Sequence, residues 1–299
     1  MAKIRHIIFS VIFLLSTVCA AFAEEYALVL AGGGGKGAYQ VGVWKALFDY
    51  GIAPKTTVIS GTSVGGLNAA LFATAPVSEV ERIWLNLVSK NLTRDEALIS
   101  QEGLRDVMKE VPLEKLSTMA YPKVIVTAVR SRFLLLKAVT GGTGTYAHRF
   151  ILNAETDTSE IQNELLATSA FPLICQPIRL KDGYDYIDGG GDELYGGDNI
   201  PIDPVAEHFP RISNVIVVYL QSLEQMTRRI RQIDYEGINL IEIIPSIDLG
   251  DLFEGTTNFS QERIALLISR GYEDASRVLS QKGYTKVSSH WFSNAYTKE

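Results

Sequence analysis

A serine and an aspartate, each set among glycines, are the residues best suited to chemistry. Ser63 lies in Gly61-Thr62-Ser63-Val64-Gly65, after an apolar, β-branched run at 57–60 and before a stretch of helical period at 65–75. A G-x-S-x-G pattern at a strand-to-helix junction is typical of a nucleophile elbow, in which glycines on both sides let strand and helix approach closely. The pattern predicts that Ser63 is a nucleophile at the end of a sheet and at the positive end of a helix.

Histidine is the usual base for a serine nucleophile, and three histidines follow the first 23 residues. The chain order of an α/β-hydrolase triad leaves His208 or His290 as candidates. His208 falls in the helical stretch 205–209, His290 lies in a polar tail, and His148 precedes the best candidate acid. We interpret all three as structural or surface residues.

A carboxylate offers an alternative base. Asp188 ends the short apolar run 186–188, and Gly189 and Gly190 follow it, so the backbone can pass close to another loop. A carboxylate can accept the serine proton directly when it is held against the hydroxyl and partly desolvated, because desolvation raises its pKa. A calcium loop is a weaker alternative because the spacing of the neighbouring acids does not match an EF-hand. Those acids are Asp192, Glu193 and Asp198.

Another run of glycines lies just before the first predicted helix. The apolar run 28–31 leads into Gly32-Gly33-Gly34-Gly35-Lys36-Gly37, and residues 38–48 have helical period. A glycine turn between a strand and a helix exposes backbone N–H groups that can hold an anion. The anion is either a dinucleotide phosphate, since Gly32, Gly34 and Gly37 fit G-x-G-x-x-G, or the oxyanion of an acyl-transfer intermediate.

The residues around this turn weigh against a nucleotide. A dinucleotide site needs an acidic residue at the end of the next strand, where Ser60-Gly61-Thr62-Ser63 stands instead. A Walker phosphate loop fails as well, because Leu30 occupies the position of its first glycine and Ala38 that of its Ser or Thr.

Composition sets the outer limits on function. Of the 25 glycines, 14 fall in windows 32–42, 61–66 and 189–197, which mark the candidate site. With 46% hydrophobic and 21% charged residues, the chain is globular and not disordered. The formal charge is -6, and it becomes -8 (26 basic against 34 acidic residues) if Lys3 and Arg5 are removed. An acidic chain is a poor partner for nucleic acid.

The first 23 residues have the plan of a secretory signal peptide. Lys3, Arg5 and His6 precede an uncharged run at 7–23 that ends in Ala21-Phe22-Ala23. A retained membrane anchor is the competing interpretation, but the run is at the lower limit for spanning a bilayer. The residues before Cys19 are a poor match to a bacterial lipoprotein site, so lipidation there is not favoured. After cleavage Cys175 is the only cysteine. We expect cleavage after Ala23, a bacterial periplasmic or secreted location, and one domain over 24–299.

Strand-like runs alternate with stretches of helical period along the rest of the chain. Such alternation predicts an α/β fold with a mostly parallel sheet covered by helices. A last long helix is expected to begin near Ser260, with Ile264, Leu267, Ile268, Ala275, Val278 and Leu279 on its buried face. A basic cluster of Arg228, Arg229 and Arg231 is expected on another, solvated helix. The predicted strands span residues 26–31, 57–60, 124–129, 133–139, 215–220 and 240–244.

Taken together, the three glycine motifs resemble those of patatin-like phospholipases. The residues Gly32 to Gly37, Gly61 to Gly65 and Asp188-Gly189-Gly190 stand in that family's order, and the resemblance extends over nearly all of 26–279. Smaller similarities are Gly42 to Leu47, Ser169 to Pro172 and Asn199-Ile200-Pro201.

The resemblance implies a three-layer α/β/α fold and a lipid acyl hydrolase without cofactor or metal. It implies a dyad of Ser63 as nucleophile and Asp188 as general base, acting through an acyl-enzyme. The oxyanion hole is assigned to the turn of Gly32, Gly33, Gly34, Gly35, Lys36 and Gly37. The implied partners are a phospholipid or related ester and, transiently, a membrane surface.

Two other functions fit parts of the pattern. A general esterase or thioesterase would share the nucleophile and the base without acting on membrane lipid. A non-catalytic lipid- or nucleotide-binding protein would keep the glycines for packing alone, but it would have no need of both Ser63 and Asp188.

Overall fold

A computed structural model describes residues 24–92, 99–131, 146–172, 174–191, 196–226, 230 and 232–287. The predicted signal peptide, the strand predicted at 133–139, the arginine cluster and His290 lie outside these ranges, as do Asp192 and Glu193. In the part that the structure describes, no helix is long and apolar enough to cross a membrane.

The described chain is built on one eight-stranded mixed sheet. The strands are hydrogen-bonded in the order β5-β6-β3-β2-β1-β7-β8. Strands β2 and β6 pair with successive parts of one edge of β3, and β4 pairs with its opposite edge. Strands β3, β2, β1, β7 and β8 run parallel, whereas β4 and β6 are antiparallel to β3. Their bounds are β1 Tyr26–Leu30, β2 Thr56–Thr62, β3 Lys123–Arg130, β4 Ala147–Ile151, β5 Ile178–Arg179, β6 Asp185–Asp188, β7 Asn214–Val218 and β8 Asn239–Ile243.

Helices cover both faces of this sheet in a three-layer α/β/α arrangement. All five residues of β1 are buried, which requires cover on both sides, as is usual for a parallel sheet. The α-helices are α1 Ala38–Asp49, α2 Val64–Thr74, α3 Val77–Arg82, α4 Ser89–Asn91, α5 Gln101–Met108, α6 Lys115–Thr118, α7 Thr158–Thr168, α8 Asp203–His208 and α9 Gln261–Gln281. Shorter turns are the 3-10 segments Gly34–Gly37, Ala53–Lys55, Leu152–Ala154 and Gln232–Asp234, and the π-helical segments Ile83–Val88 and Leu252–Thr256.

The predicted α/β fold with a mostly parallel sheet is confirmed. Helix α9 begins one residue after Ser260, and its predicted apolar face is buried except for Val278, which is partly buried. Strands β4 and β5 were not predicted. Strand β4 has the sequence AHRFI and an incompletely buried pattern, so it lacks the apolar run by which the other strands are recognised.

Candidate active site

Ser63 occupies a sharp turn between β2 and α2. It has φ 56° and ψ −128°, and it is the one non-glycine residue of the described chain with a positive φ. The turn brings strand and helix into backbone contact: a side chain at Gly61 would collide with the carbonyl of Gly65, and one at Gly65 with that of Leu30. Only glycine fits at these two positions, and the strained serine is held at the carboxyl end of β2.

The sheet register places Asp188 directly beyond this turn. Ala128 of β3 pairs with His148 of β4 and with Asp188 of β6, so β4 and β6 lie on opposite edges of β3. Residues 125–127 of β3 pair with both β2 and β4, so these two strands also lie on opposite edges of β3. Strand β6 therefore lies on the same edge of β3 as β2 and follows it along that edge. Asp188 therefore lies next to the point where the chain leaves β2 at Thr62 and turns at Ser63.

The Asp188 carboxyl is buried and has a raised pKa. It is 2% exposed, and its Oδ1 accepts the Gly190 N–H at 2.7 Å. Burial raises the pKa to about 6, although the Ser63 hydroxyl and the Gly190 N–H each lower it. The buried Oδ2 has no well-formed hydrogen bond within the described residues, so it remains able to accept a proton.

Thr168, at the end of α7, ties the nucleophile turn to the sheet. Its hydroxyl accepts the Ser63 N–H at 2.9 Å and donates to the Thr127 carbonyl at 2.5 Å. Two residues later, the Ala170 carbonyl accepts the Asp188 N–H at 2.9 Å. The end of one helix therefore positions both predicted catalytic residues. The sequence gives no local sign of this role, because Thr168 lies 105 residues from Ser63.

The glycine turn lies against the same site. In the 3-10 segment Gly34–Gly37, the Lys36 N–H donates to the Gly33 carbonyl at 3.3 Å. The Gly32 N–H donates to Asn199, at 3.1 Å to Oδ1 and 3.3 Å to the backbone carbonyl. The N–H groups of Gly32 and Lys36 therefore already have acceptors within the protein. The first N–H groups of a helical segment have no partner within it, so an oxyanion site at Gly33, Gly34 and Gly35 stays a prediction.

The segment at 198–199 joins the three glycine windows. The Asp198 N–H donates to the Gly189 carbonyl at 2.8 Å, and the Asp198 carbonyl accepts the Thr62 hydroxyl at 2.7 Å. Its carboxylate, 2% exposed, pairs with Arg149 at 2.7 Å. Asp198 thus has a structural ion-pair partner. Within the described residues, no cluster of three or more His, Cys, Asp and Glu side chains could hold a metal ion.

No histidine is among the described residues that line the cavity at Ser63. His148 packs against the rings of Phe150 and Tyr186, with centroids 4.6 and 5.7 Å away, and burial lowers its pKa. It lies on the opposite edge of β3 from Asp188, two strand spacings or roughly 10 Å away. His208 is the last residue of α8.

An apolar cavity of about 530 Å³ opens at the site. Ser63, Asp188 and the glycine turn line one end. From there the cavity follows α2, because Val64, Leu67 and Leu71 on one face of this helix all line it. The remaining wall is mostly apolar and includes Ile83, Trp84, Val88, Leu92, Ile99, Leu104, Val107, Met108, Val111, Leu113 and Leu165. Its polar members are Asn68, Ser169, Asn199, Gln221, Asp251 and Thr256.

Fold and site together define the class of this protein: an α/β protein with a nucleophile-elbow type of serine turn at an apolar cavity. Sequence comparison gives the family. The profile of patatin-like phospholipases matches residues 28–206, more than half of the chain. The chain belongs to this family, whose members hydrolyse the ester bonds of lipid acyl groups.

Two known proteins show how far the similarity extends. Patatin-like phospholipase domain-containing protein 7 from Mus musculus is 30% identical over 178 residues, which is 55% of this chain and 12% of the mouse protein. The chain thus spans only a small part of that relative. The crystal structure of VipD from Legionella pneumophila aligns over 87% of this chain and 67% of that chain, with 14% identity and a TM-score of 0.47.

Proposed function

We propose that this protein is a phospholipase A-type hydrolase that cleaves fatty acyl esters with a Ser63 and Asp188 dyad. The observation that carries the proposal is the position of the buried Asp188 carboxyl beside the strained Ser63, at one end of an apolar cavity. An apolar wall along α2 suits an acyl chain, and the reacting ester would then lie at Ser63.

The first half-reaction forms an acyl-enzyme. The Ser63 Oγ attacks the ester carbonyl carbon while Asp188 accepts the hydroxyl proton. The N–H groups of Gly33, Gly34 and Gly35 stabilise the negative oxygen of the tetrahedral intermediate. The intermediate then expels the alcohol, which takes the proton from Asp188, and the acyl group stays on Ser63.

The second half-reaction regenerates the enzyme. A water molecule attacks the acyl carbonyl and gives a proton to Asp188, and the same N–H groups stabilise the second intermediate. Collapse releases the fatty acid and returns the proton to Ser63. The raised pKa of Asp188 suits both steps, because a carboxylate with a pKa of about 6 is ionised at neutral pH yet more basic than an ordinary aspartate.

Product analysis tests this proposal. Residues 24–299 are incubated with mixed phospholipid vesicles, and free fatty acid and lysophospholipid are measured by mass spectrometry. We expect both products from the parent protein and neither from Ser63→Ala, and a fluorophosphonate probe should label the parent at Ser63. Full activity of Ser63→Ala would contradict the mechanism. Hydrolysis of a soluble short-chain ester without any attack on phospholipid would favour a general esterase or thioesterase.

We also propose that the protein is exported. The proposal is supported by the basic start, the uncharged run at 7–23 and the small residues Ala21 and Ala23 before Glu24. Expression of the full chain in a bacterium, followed by fractionation and N-terminal sequencing, should find a periplasmic or secreted protein that begins at Glu24. An uncleaved protein in the membrane fraction would indicate a retained anchor.

A further inference from the structure

Two exposed apolar side chains lie next in sequence to residues that line the cavity. Phe253 is 66% exposed and Leu223 is 59% exposed, and with Tyr121 they are the three most exposed large apolar side chains of the described residues. Their neighbours in sequence belong to the cavity wall: Leu252 lines the cavity, and so do Leu220 and Gln221. Both side chains are therefore on loops that border the cavity.

The two loops are joined to each other and to the glycine turn. The Gln225 side chain hydrogen-bonds to Asp248, which links the loop at 220–226 to the loop at 248–254. Thr256, at the end of the π-helical segment, lies against Gly34 so closely that a side chain at Gly34 would collide with its carbonyl. We call the residues 220–226 and 248–254 together the docking rim.

Hydrogen bonds fix the backbone turn that carries Phe253. The Asp251 carboxylate accepts the N–H groups of Phe253 at 2.8 Å and of Glu254 at 2.9 Å. The Thr257 N–H donates to the Leu252 carbonyl at 2.9 Å and closes the turn. Exposed apolar side chains that adjoin an apolar cavity are a feature of surfaces that meet an apolar partner.

The charge of the docking rim indicates which lipid surface it fits. Its two segments contain no Lys or Arg, whereas four acidic residues are exposed on them. Lys36 and Arg263 stand near Asp248 and offset part of this charge. The acidic residues remain in excess, so the rim lacks the basic residues that would attract it to an anionic bilayer. These acidic residues are Glu224, Asp248, Asp251 and Glu254.

We propose that the docking rim seats the enzyme on a zwitterionic phospholipid surface, with Phe253 and Leu223 inserted among the lipids. This inference rests on the proposed function in one respect, since the cavity behind the rim is taken to receive the acyl chain. In the docked state an acyl ester moves from the lipid surface into the cavity without exposing its chain to water, so the apolar contact is continuous.

Vesicle binding tests this proposal separately from catalysis. Phe253→Ser, Leu223→Ser and the double variant are made in a Ser63→Ala background, and co-flotation with phosphatidylcholine vesicles and with phosphatidylglycerol vesicles is measured. Tyr121→Ser is the matched control. Tyr121 is 64% exposed, but it precedes the amino end of β3, whereas Ser63 follows the carboxyl end of the parallel strand β2.

We expect the parent to bind phosphatidylcholine vesicles in a salt-independent manner. The double variant should lose roughly ten-fold or more in apparent affinity, since two apolar insertions are removed, and Tyr121→Ser should bind like the parent. With Ser63 restored, the Phe253 and Leu223 variants should hydrolyse a soluble short-chain ester at the parental rate, which shows that they are folded.

The proposal is overturned if the parent does not bind phosphatidylcholine vesicles, or if the double variant binds as well as the parent. It is also overturned if Tyr121→Ser weakens binding equally, or if binding requires phosphatidylglycerol and is abolished by salt. Binding that depends on Phe253 in a protein that hydrolyses no ester would support the docking rim and overturn the proposed function instead.

Discussion

The Thr168 hydroxyl connects Ser63 to the neighbouring strand: it accepts the Ser63 N–H at 2.9 Å and donates to the Thr127 carbonyl at 2.5 Å. Thr168 is fully buried, so water cannot replace it in either bond. The strained backbone at Ser63 thus has a hydrogen-bonded support from outside its own turn, as a costly conformation requires.

Replacing Thr168 by Val should lower both stability and activity. Valine keeps the shape but leaves the Ser63 N–H without its acceptor, which we expect to cost about 1–3 kcal/mol in the free energy of unfolding. The kcat for a soluble ester should also fall, because Ser63 loses its fixed position. Urea denaturation and initial rates measure the two effects. Thr168→Ser keeps the hydroxyl and should retain most of both, and a fully active, fully stable Thr168→Val protein would contradict the assigned role.

A substitution at Gly34 should disable the oxyanion turn. Gly34 has φ +57°, and a side chain there would collide with the Thr256 carbonyl, so Gly34→Ala must shift the N–H groups. We expect kcat to fall by about 10²-fold or more, which is the usual effect of losing one oxyanion donor.

Gly183 offers the matched control for this variant. It has φ +82°, and an added side chain would meet nothing within 4 Å, so Gly183→Ala carries the backbone strain without the collision. Gly183→Ala should lose about 1 kcal/mol of stability and no activity. If the two variants had equal kcat values, the turn would have no catalytic role.

The sequence was sufficient to predict the strands and helices that carry the site. Strands β1, β2, β3, β7 and β8 correspond to apolar runs, because buried parallel strands are apolar on both faces. Helix α2 begins at Val64, one residue from its predicted start. Strand β4 was missed because His148 and Arg149 interrupt its apolar pattern.

The supports of the site could not be predicted in the same way. Ser63 and Asp188 stand out because glycines that permit close backbone approach mark them locally. The hydrogen bond from Gly32 to Asn199 spans 167 residues, and the ion pair of Arg149 with Asp198 spans 49. Contacts of this kind leave no periodic or local signal, so they were visible only in three dimensions.

The far end of the cavity should set the acyl chain length. Leu71 lines the cavity eight residues after Ser63, which is about 12 Å along helix α2. A larger side chain there shortens the available space. For Leu71→Trp we expect the rate on a long-chain ester to fall ten-fold or more relative to the parent, with the rate on a butyrate ester little changed. Leu71→Met, which nearly conserves volume, should keep the parental profile. Equal losses on both esters would show that the acyl chain does not reach Leu71.

Activity should depend on the ionisation of Asp188. Burial raises its pKa to about 6, and the carboxyl can accept a proton only when it is ionised. The kcat/KM for a soluble ester should therefore fall as the pH drops below about 6 and level off above it. Asp188→Asn should be inactive across the range. An activity that is constant from pH 5 to 8, or an active Asp188→Asn protein, would exclude Asp188 as the base.

The ionised form of Asp188, which activity requires, should lower the free energy of unfolding. Its pKa is higher in the folded chain, at about 6, than its ordinary value of 3.8, so the folded state binds the proton more tightly than the unfolded state does. The stability associated with Asp188 is thus complete below about pH 3.8 and is lost as the pH rises through 6, by about 3 kcal/mol at most. Asp188→Asn removes the buried charge and should raise the free energy of unfolding at pH 8 but not at pH 4. Urea denaturation at both pH values measures this difference, and a variant that is less stable than the parent at pH 8 would show that the ionised carboxylate is stabilised by its surroundings.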